Sequence, residues 1–257
     1  MKSSMKYIEM KSGRVAYRCF GSGEPALLFL HGAGGDHRLF LHQLAFFKES
    51  YRSIAVDLPA HGESAWNGMP TIEDYVTAVE AVLDHEGVTR VVPVGHSMGG
   101  GIMFELCLRK PERVSRMIAL CTAATLPVNS AVFQLIDQDY AAFCDFAVKL
   151  SYSREVSPET AALALQGMSA TDPATMRNDF TICASYDYSG SLDRITWPSL
   201  VLTTRSDKLV PRALAESLAT ALPDAKLVVL EATGHMPHME HHEKVNGAIR
   251  EFLDAAV

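Results

Sequence analysis

The sequence has no long apolar run, and no window approaches the roughly 18 consecutive apolar residues that a membrane helix needs. Basic clusters are missing too. The 23 Lys and Arg are outnumbered by 30 Asp and Glu, and the formal net charge of −7 repels phosphate backbones, so neither a nucleic-acid nor a membrane partner is expected. Cysteine is scarce and unpatterned. Cys19, Cys107, Cys121, Cys144 and Cys183 are odd in number, widely spaced and without a C-x-x-C pair, which argues against a disulfide framework and a thiolate zinc site. They read as reduced thiols, mostly small core residues. Residues 1–7 are basic but lack the apolar stretch of roughly 7–15 residues of a secretory signal, so a cytoplasmic location is the default expectation. There is no internal repeat and no low-complexity tract.

What is there fits a globular chain: 257 residues, 48% hydrophobic and 21% charged, enough for one large domain or a domain with an insertion. Short apolar, β-branched runs alternate with longer segments of helical periodicity, the mark of βαβ units around a mostly parallel sheet. Residues 6–11 and 15–20 flank Ser12-Gly13 as an antiparallel hairpin, and strands are expected at 26–30, 53–56, 90–94, 117–120, 199–203 and 225–230. Helices are expected at 39–47, 71–85, 98–109, 212–221 and 244–253. Thr71 reads as an N-cap with Glu73 and Asp74 in the first turn, and Pro111 as a stop. From 126 to 190 the alternation lapses and the pattern is helical throughout, which predicts a helical insertion.

One run dominates the chemistry. Val91-Val92-Pro93-Val94 leads into Gly95-His96-Ser97-Met98-Gly99 and then a helix, so G-x-S-x-G stands at a strand-to-helix turn. There a serine hydroxyl is held out of the fold, and the helix N-terminus favours developing negative charge. A serine needs a base, and the base an orienting acid. Downstream, Asp207 follows the strand at 199–203 and His235 follows the strand at 225–230, so both emerge at the carboxyl edge of the sheet with Ser97. Glu231 and Asp193 compete with Asp207 for the acid's role. His31-Gly32-Ala33-Gly34-Gly35 follows the first buried strand, and the Ala33 and Met98 backbone N–H groups would form an oxyanion hole.

These residues resemble the α/β-hydrolase superfamily over nearly the whole chain. The resemblance is carried by Leu30-His31-Gly32-Ala33-Gly34-Gly35, Asp57-Leu58-Pro59-Ala60-His61-Gly62-Glu63-Ser64, Gly95–Gly99 with Gly100, and Ser206-Asp207-Lys208-Leu209-Val210-Pro211 followed by Gly234-His235. Pro111-Glu112-Arg113-Val114 also looks like the family's usual lead-in to the next strand. Two positions depart from the pattern: Ala60 stands where glycine is common, and His242 where proline often follows the glutamate represented by Glu240. The resemblance implies an α/β fold with a mostly parallel sheet of about eight strands and helices on both faces. It divides the chain into a core of residues 1–125 and 191–257 and a helical cap of residues 126–190. It also implies a serine hydrolase acting on a small to medium carboxylic ester or related acyl compound, with Ser97, Asp207 and His235 as catalytic triad and no cofactor or metal.

Around this reading stand blander ones. His31, His61 and His96 are expected to orient loops through hydrogen bonds. His235, His238, His241 and His242 could be read as a metal cluster, but a triad histidine cannot also be a ligand. Phe133, Tyr140, Phe143, Phe146, Tyr186 and Tyr188 either line an acyl pocket or fasten the insertion to the core, and Met98, Val210 and Met236 are candidates for the pocket wall. Dehalogenases and epoxide hydrolases of this family use an aspartate nucleophile, whereas position 97 is serine, and carbon–carbon hydrolases often carry asparagine where His96 stands. Lactonases, thioesterases, perhydrolases and acyltransferases share the triad. A receptor or signalling protein with slow turnover is the reading from another class, and turnover number separates it from an enzyme. Oligomeric state is not legible from the sequence.

Overall fold

The computed structural model describes residues 4–255, so the first three residues of the basic start lie outside the described residues. β1 (Lys6–Met10) and β2 (Gly13–Phe20) form the expected hairpin, with Met10 paired to Gly13. β3 (Ala26–Leu30), β4 (Ser53–Val56), β5 (Ala65–Trp66), β6 (Val91–His96), β7 (Met117–Leu120), β8 (Ser199–Thr204) and β9 (Ala225–Leu230) follow. The sheet runs β1-β2-β4-β3-β6-β7-β8-β9, with β5 paired to β2. β2 lies antiparallel to β1, β4 and β5, and every other pairing is parallel. Among the described residues the sheet thus has nine strands where about eight were expected. The addition, β5, is two residues held by Gly13 and Arg14 of β2, too short to show any hydrophobic pattern.

The central strands are apolar on both faces because helices cover both. In β3 the period of two is plain: Leu28 and Leu30 join one cluster, Leu27 and Phe29 the other. The first cluster is closed by α2 (Ile72–His85), α3 (Met98–Arg109) and α8 (Arg212–Ala221), through side chains such as Val79, Ile102 and Leu218. The second is closed by α1 (Leu41–Phe47), entered through a 3₁₀ turn at His37–Phe40, and by α10 (His242–Asp254), which follows the single turn α9 (Pro237–Glu240). Thr71 caps α2 as expected, in a reciprocal capping box with Asp74.

Between β7 and β8 the chain forms four further helices: α4 (Ala131–Gln138), α5 (Tyr140–Ser151), α6 (Pro158–Ser169) and α7 (Pro173–Ser185). Asp139, Ser157 and Asp172 cap the last three through side-chain oxygens, and proline opens α6 and α7 where a missing N–H costs nothing. Ile136, Phe143, Cys144 and Met176 give this segment a small core of its own. No helix among the described residues is long and apolar enough to cross a membrane.

Candidate active site

Ser97 sits between β6 and α3 at φ 53 and ψ −120, a backbone region that costs a non-glycine residue on the order of 1–3 kcal/mol. Neighbouring contacts hold it there. Its N–H donates to the Leu120 carbonyl (3.2 Å) and its carbonyl accepts from Thr122 Oγ1 (2.7 Å), both from the β7 end. Gly99 lets α3 approach β3: a Cβ at this position would lie 2.2 Å from the Leu30 carbonyl oxygen. Met98 opens α3, so its N–H has no acceptor within the helix. Gly32 brings the loop after β3 against the serine, since a Cβ there would stand 3.0 Å from Ser97 Cβ. Ala33, whose N–H is the other expected oxyanion donor, follows in that loop.

His235 is buried on the loop after β9. Its Nδ1–H donates to Asp207 Oδ2 (2.7 Å), its own N–H donates to the Ser151 carbonyl (2.6 Å), and its carbonyl accepts from His96 Nε2 (3.0 Å). Asp207 follows β8 and is also buried. Its other oxygen accepts from the Leu209 and Val210 N–H groups, both at 2.9 Å, so the carboxylate is fixed before it meets the imidazole. The rival acids lie elsewhere. Glu231 is exposed and paired with Arg205 (2.7 Å), and Asp193 is exposed on the turn Ser189–Arg194.

Ser97 and His235 open into one cavity of about 1010 Å³. Its walls are Gly32–Gly35, Val210 and Met236 from loops at the sheet's carboxyl edge, and Leu135, Phe143, Phe146, Leu163, Met176 and Phe180 from α4 to α7. Phe143, Phe146, Val210 and Met236 are therefore where the sequence suggested. Phe133, Tyr140 and Tyr186 are not among the lining residues. Phe133 lies under the Arg177 guanidinium, 5.3 Å from ring centre to Cζ, and so joins α4 to α7. The Tyr140 hydroxyl donates toward the Met168 (3.1 Å) and Thr171 (2.8 Å) carbonyls, fastening α5 to the turn before α7. Tyr186 packs on α3 at Gly101, where a Cβ would meet its ring at 2.6 Å. Sequence periodicity places an aromatic on a helix face, but it cannot say which face meets the cavity.

Three loop histidines have defined roles. His31 donates from Nδ1 to the Gly32 carbonyl (2.8 Å) and accepts the Leu58 N–H at Nε2 (3.1 Å); burial, with His61 beside it, pushes it down to about 4. His96 is held well below the ordinary value by burial and by its neighbours His238 and His235. For His61, burial opposes the charged form but the Asp179 carboxylate outweighs it, and the pKa is raised. Of the proposed metal-type histidines, His238 stacks on Phe40, His242 stacks on His42, and His241 Nε2 donates to the Ala232 carbonyl (3.0 Å). Among the described residues, Cys121 with Asp207 and His235, and Asp36 with His37 and Asp57, are the side-chain groups close enough to share an ion. In both groups the imidazole Nδ1 is already bonded to the aspartate at 2.7 Å.

Two carboxylates were given no role by the sequence reading. Glu240 accepts from Thr233 Oγ1 (3.1 Å), the Gly234 N–H (2.9 Å) and the Ser153 N–H (2.9 Å), tying the His235 loop to the end of α5. Asp179, fully buried on α7, accepts from the Gly34 N–H, His61 Nε2 and the Tyr75 hydroxyl, each at 2.8 Å. No local pattern marks Asp179, whose partners are all distant in sequence, whereas Glu240, the glutamate of the family pattern, lies six and seven residues from Gly234 and Thr233 and reaches across the chain only to Ser153. The departure at Ala60 is visible as a φ of 68 in a non-glycine residue, and that at His242 as a start to α10 without a side-chain cap.

The family model for the alpha/beta hydrolase family matches residues 27–248. The chain belongs to that family. Among the relatives of this alpha/beta hydrolase is a pimeloyl-[acyl-carrier protein] methyl ester esterase of Aromatoleum aromaticum, 29% identical over 85% of this chain and 94% of that protein. Another is a 2-hydroxy-6-oxononadienedioate/2-hydroxy-6-oxononatrienedioate hydrolase of Paraburkholderia phymatum, 27% identical over 98% of this chain and 96% of that protein. The enol-lactonase from Burkholderia xenovorans shares the fold with a TM-score of 0.91, at 23% identity over 97% of this chain and all of that one. The relatives thus include an ester and a dienedioate hydrolase, and the alpha/beta hydrolase described here is a hydrolase by family.

Proposed function

We propose that this alpha/beta hydrolase is a serine esterase that cleaves small to medium carboxylic esters through an acyl-enzyme. The observation that carries the reading is the His235–Asp207 hydrogen bond of 2.7 Å on an imidazole that shares a cavity with Ser97. Ser97 Oγ attacks the ester carbonyl and its proton passes to His235 Nε2, while Asp207 keeps Nδ1 protonated and stabilises the imidazolium. The Ala33 and Met98 N–H groups receive the oxyanion, each such donor being worth roughly 3–4 kcal/mol of barrier. His235 then protonates the departing alcohol, and a water activated by the same base releases the acid. Helices α4 to α7 serve as the cap, residues 126–190 over a core of 1–125 and 191–257, and their apolar side chains accept the acyl chain. No metal or cofactor takes part in these steps.

Hydrolysis of p-nitrophenyl esters from acetate to palmitate, with Ser97→Ala beside the wild type, tests the reading. Saturable turnover that disappears in the variant is expected, with an optimum of chain length set by the cavity. Equal, negligible rates in both proteins would reject it and favour a slow receptor or a narrow substrate such as a lactone.

A further inference from the structure

Gly34 is gripped from three sides by a segment far away in the chain. Its N–H donates to Asp179 Oδ2 (2.8 Å), its carbonyl accepts from Thr171 Oγ1 (3.1 Å), and its left-handed backbone (φ 64) lies so close to Met176 that a Cβ would fall 2.2 Å from Cε. Asp179 and Met176 are on α7 and Thr171 just precedes it. Gly34 follows Ala33, the expected oxyanion donor. Because each peptide is planar, the unit that carries the Gly34 N–H is separated from the one that carries the Ala33 N–H only by the two dihedrals of Ala33. Whatever fixes one peptide restricts the other.

The Asp179 carboxylate is built to hold rather than to react. It is fully buried and does not line the cavity, and three donors from three core segments converge on it: the loop after β3, His61 after β4, and Tyr75 of α2. A buried carboxylate carries a desolvation cost of several kcal/mol that persists only against such partners. His61 Nε2 meets the carboxylate at 2.8 Å, and this pairing favours the charged form of the imidazole against the opposing effect of burial.

We propose that Asp179 is a positioning residue through which the inserted helices hold the oxyanion loop, so that the donor geometry of Ala33 depends on the seating of α7. The proposal rests on the esterase reading above for what the loop does, but not for whether the loop is held. Removing the clamp should therefore weaken transition-state stabilisation, which appears in kcat, and leave ground-state binding in the cavity, which appears in KM.

The variants are Asp179→Ala, Asp179→Asn and Thr171→Val, compared by p-nitrophenyl ester kinetics, thermal unfolding and amide hydrogen exchange at Gly34. In Asp179→Asn the amide oxygen can still accept from Gly34 and His61 while its NH₂ donates to the Tyr75 oxygen. The expected order is a fall in kcat of about 100-fold for Asp179→Ala and a few-fold for Asp179→Asn and Thr171→Val, with KM within about twofold. Gly34 exchange should quicken in the same order. Thr171→Val removes only one partly buried hydroxyl, so it reports even if Asp179→Ala fails to fold. Unchanged kcat in a variant whose Gly34 exchange has quickened would overturn the proposal, as would a loss confined to KM or an unchanged Gly34 amide. Failure of the esterase reading has a different sign, namely no Ser97-dependent turnover in the wild type, and Gly34 exchange still reports whether Asp179 and Thr171 hold the loop.

Discussion

Asp207 shows how the surroundings of one side chain fix its orientation. Its two oxygens are divided between backbone and imidazole, Oδ1 taking the Leu209 and Val210 N–H groups and Oδ2 taking His235. In Asp207→Asn an amide placed to keep the backbone bonds presents NH₂ to His235 Nδ1, which forces the opposite tautomer and leaves Nε2 protonated and unable to act as base. A fall in kcat of about four orders of magnitude follows, with the fold retained. Glu231→Gln should leave kcat within about twofold, since that side chain only meets Arg205 at the surface. Steady-state ester kinetics on both variants decide it, and wild-type turnover in Asp207→Asn would transfer the orienting role to another acid. The positions of Ser97, Asp207 and His235 at the carboxyl edge of the sheet were legible because each follows a recognisable strand. Asp179 was not: its carboxylate meets Gly34 across 145 positions and Tyr75 across 104, and nothing near 179 in the sequence announces either partner.

At the scale of elements, the strand-to-helix turn depends on how closely α3 approaches β3. A Cβ on Gly99 would fall 2.2 Å from the Leu30 carbonyl oxygen and 2.8 Å from that of His31, and both are backbone that cannot rotate aside. Gly99→Ala therefore pushes α3 off the sheet, carrying Ser97 and the Met98 N–H with it. We expect a loss of stability of about 1–3 kcal/mol in urea titrations and a disproportionate loss of ester turnover. Gly190→Ala is the control: nothing lies within 4 Å of a Cβ there, so stability and kcat should stay at wild-type levels. Equal behaviour of the two variants would mean that the turn tolerates displacement. Periodicity recovered every long element of the core, because in a doubly covered sheet the central strands are apolar almost throughout and each covering helix keeps one buried face. It missed β5, which two residues cannot signal, and left residues 126–190 as one helical stretch, although Asp139, Ser157-Pro158 and Asp172-Pro173 mark three helix starts.

Across the whole molecule, buried histidines set the dependence of stability on pH. His31 is pushed down to about 4 and His238 to about 3, and His96 lies well below its ordinary value, in each case first by burial. Each is neutral when folded but takes a proton near pH 6.5 when unfolded, so its contribution is present above that value and is lost as pH falls toward the folded value. His61 has the opposite sign. Burial disfavours its charge, but Asp179 raises its folded pKa, so its contribution is complete below 6.5 and is lost as pH climbs through that raised value. Stability should therefore peak near neutrality, with an acid limb steepened by three histidines and an alkaline limb to which His61 contributes. His238→Phe separates the two, because neither ring nitrogen of His238 has a hydrogen-bond partner, the ring packs on Phe40 and His96, and the hydrogen bonds of Asp179 go to Gly34, His61 and Tyr75 instead. Replacing it removes one group that protonates only when unfolded, and the loss of stability between pH 7 and pH 5 should shrink by about 2 kcal/mol. Any overpacking by the larger ring shifts both ends equally and cancels in that difference. Urea titrations of both proteins at pH 5, 7 and 9 measure it. An acid limb as steep as in the wild type would mean that His238 accepts a proton within the fold, whereas a change confined to pH 7–9 would couple it to the His61–Asp179 pair instead.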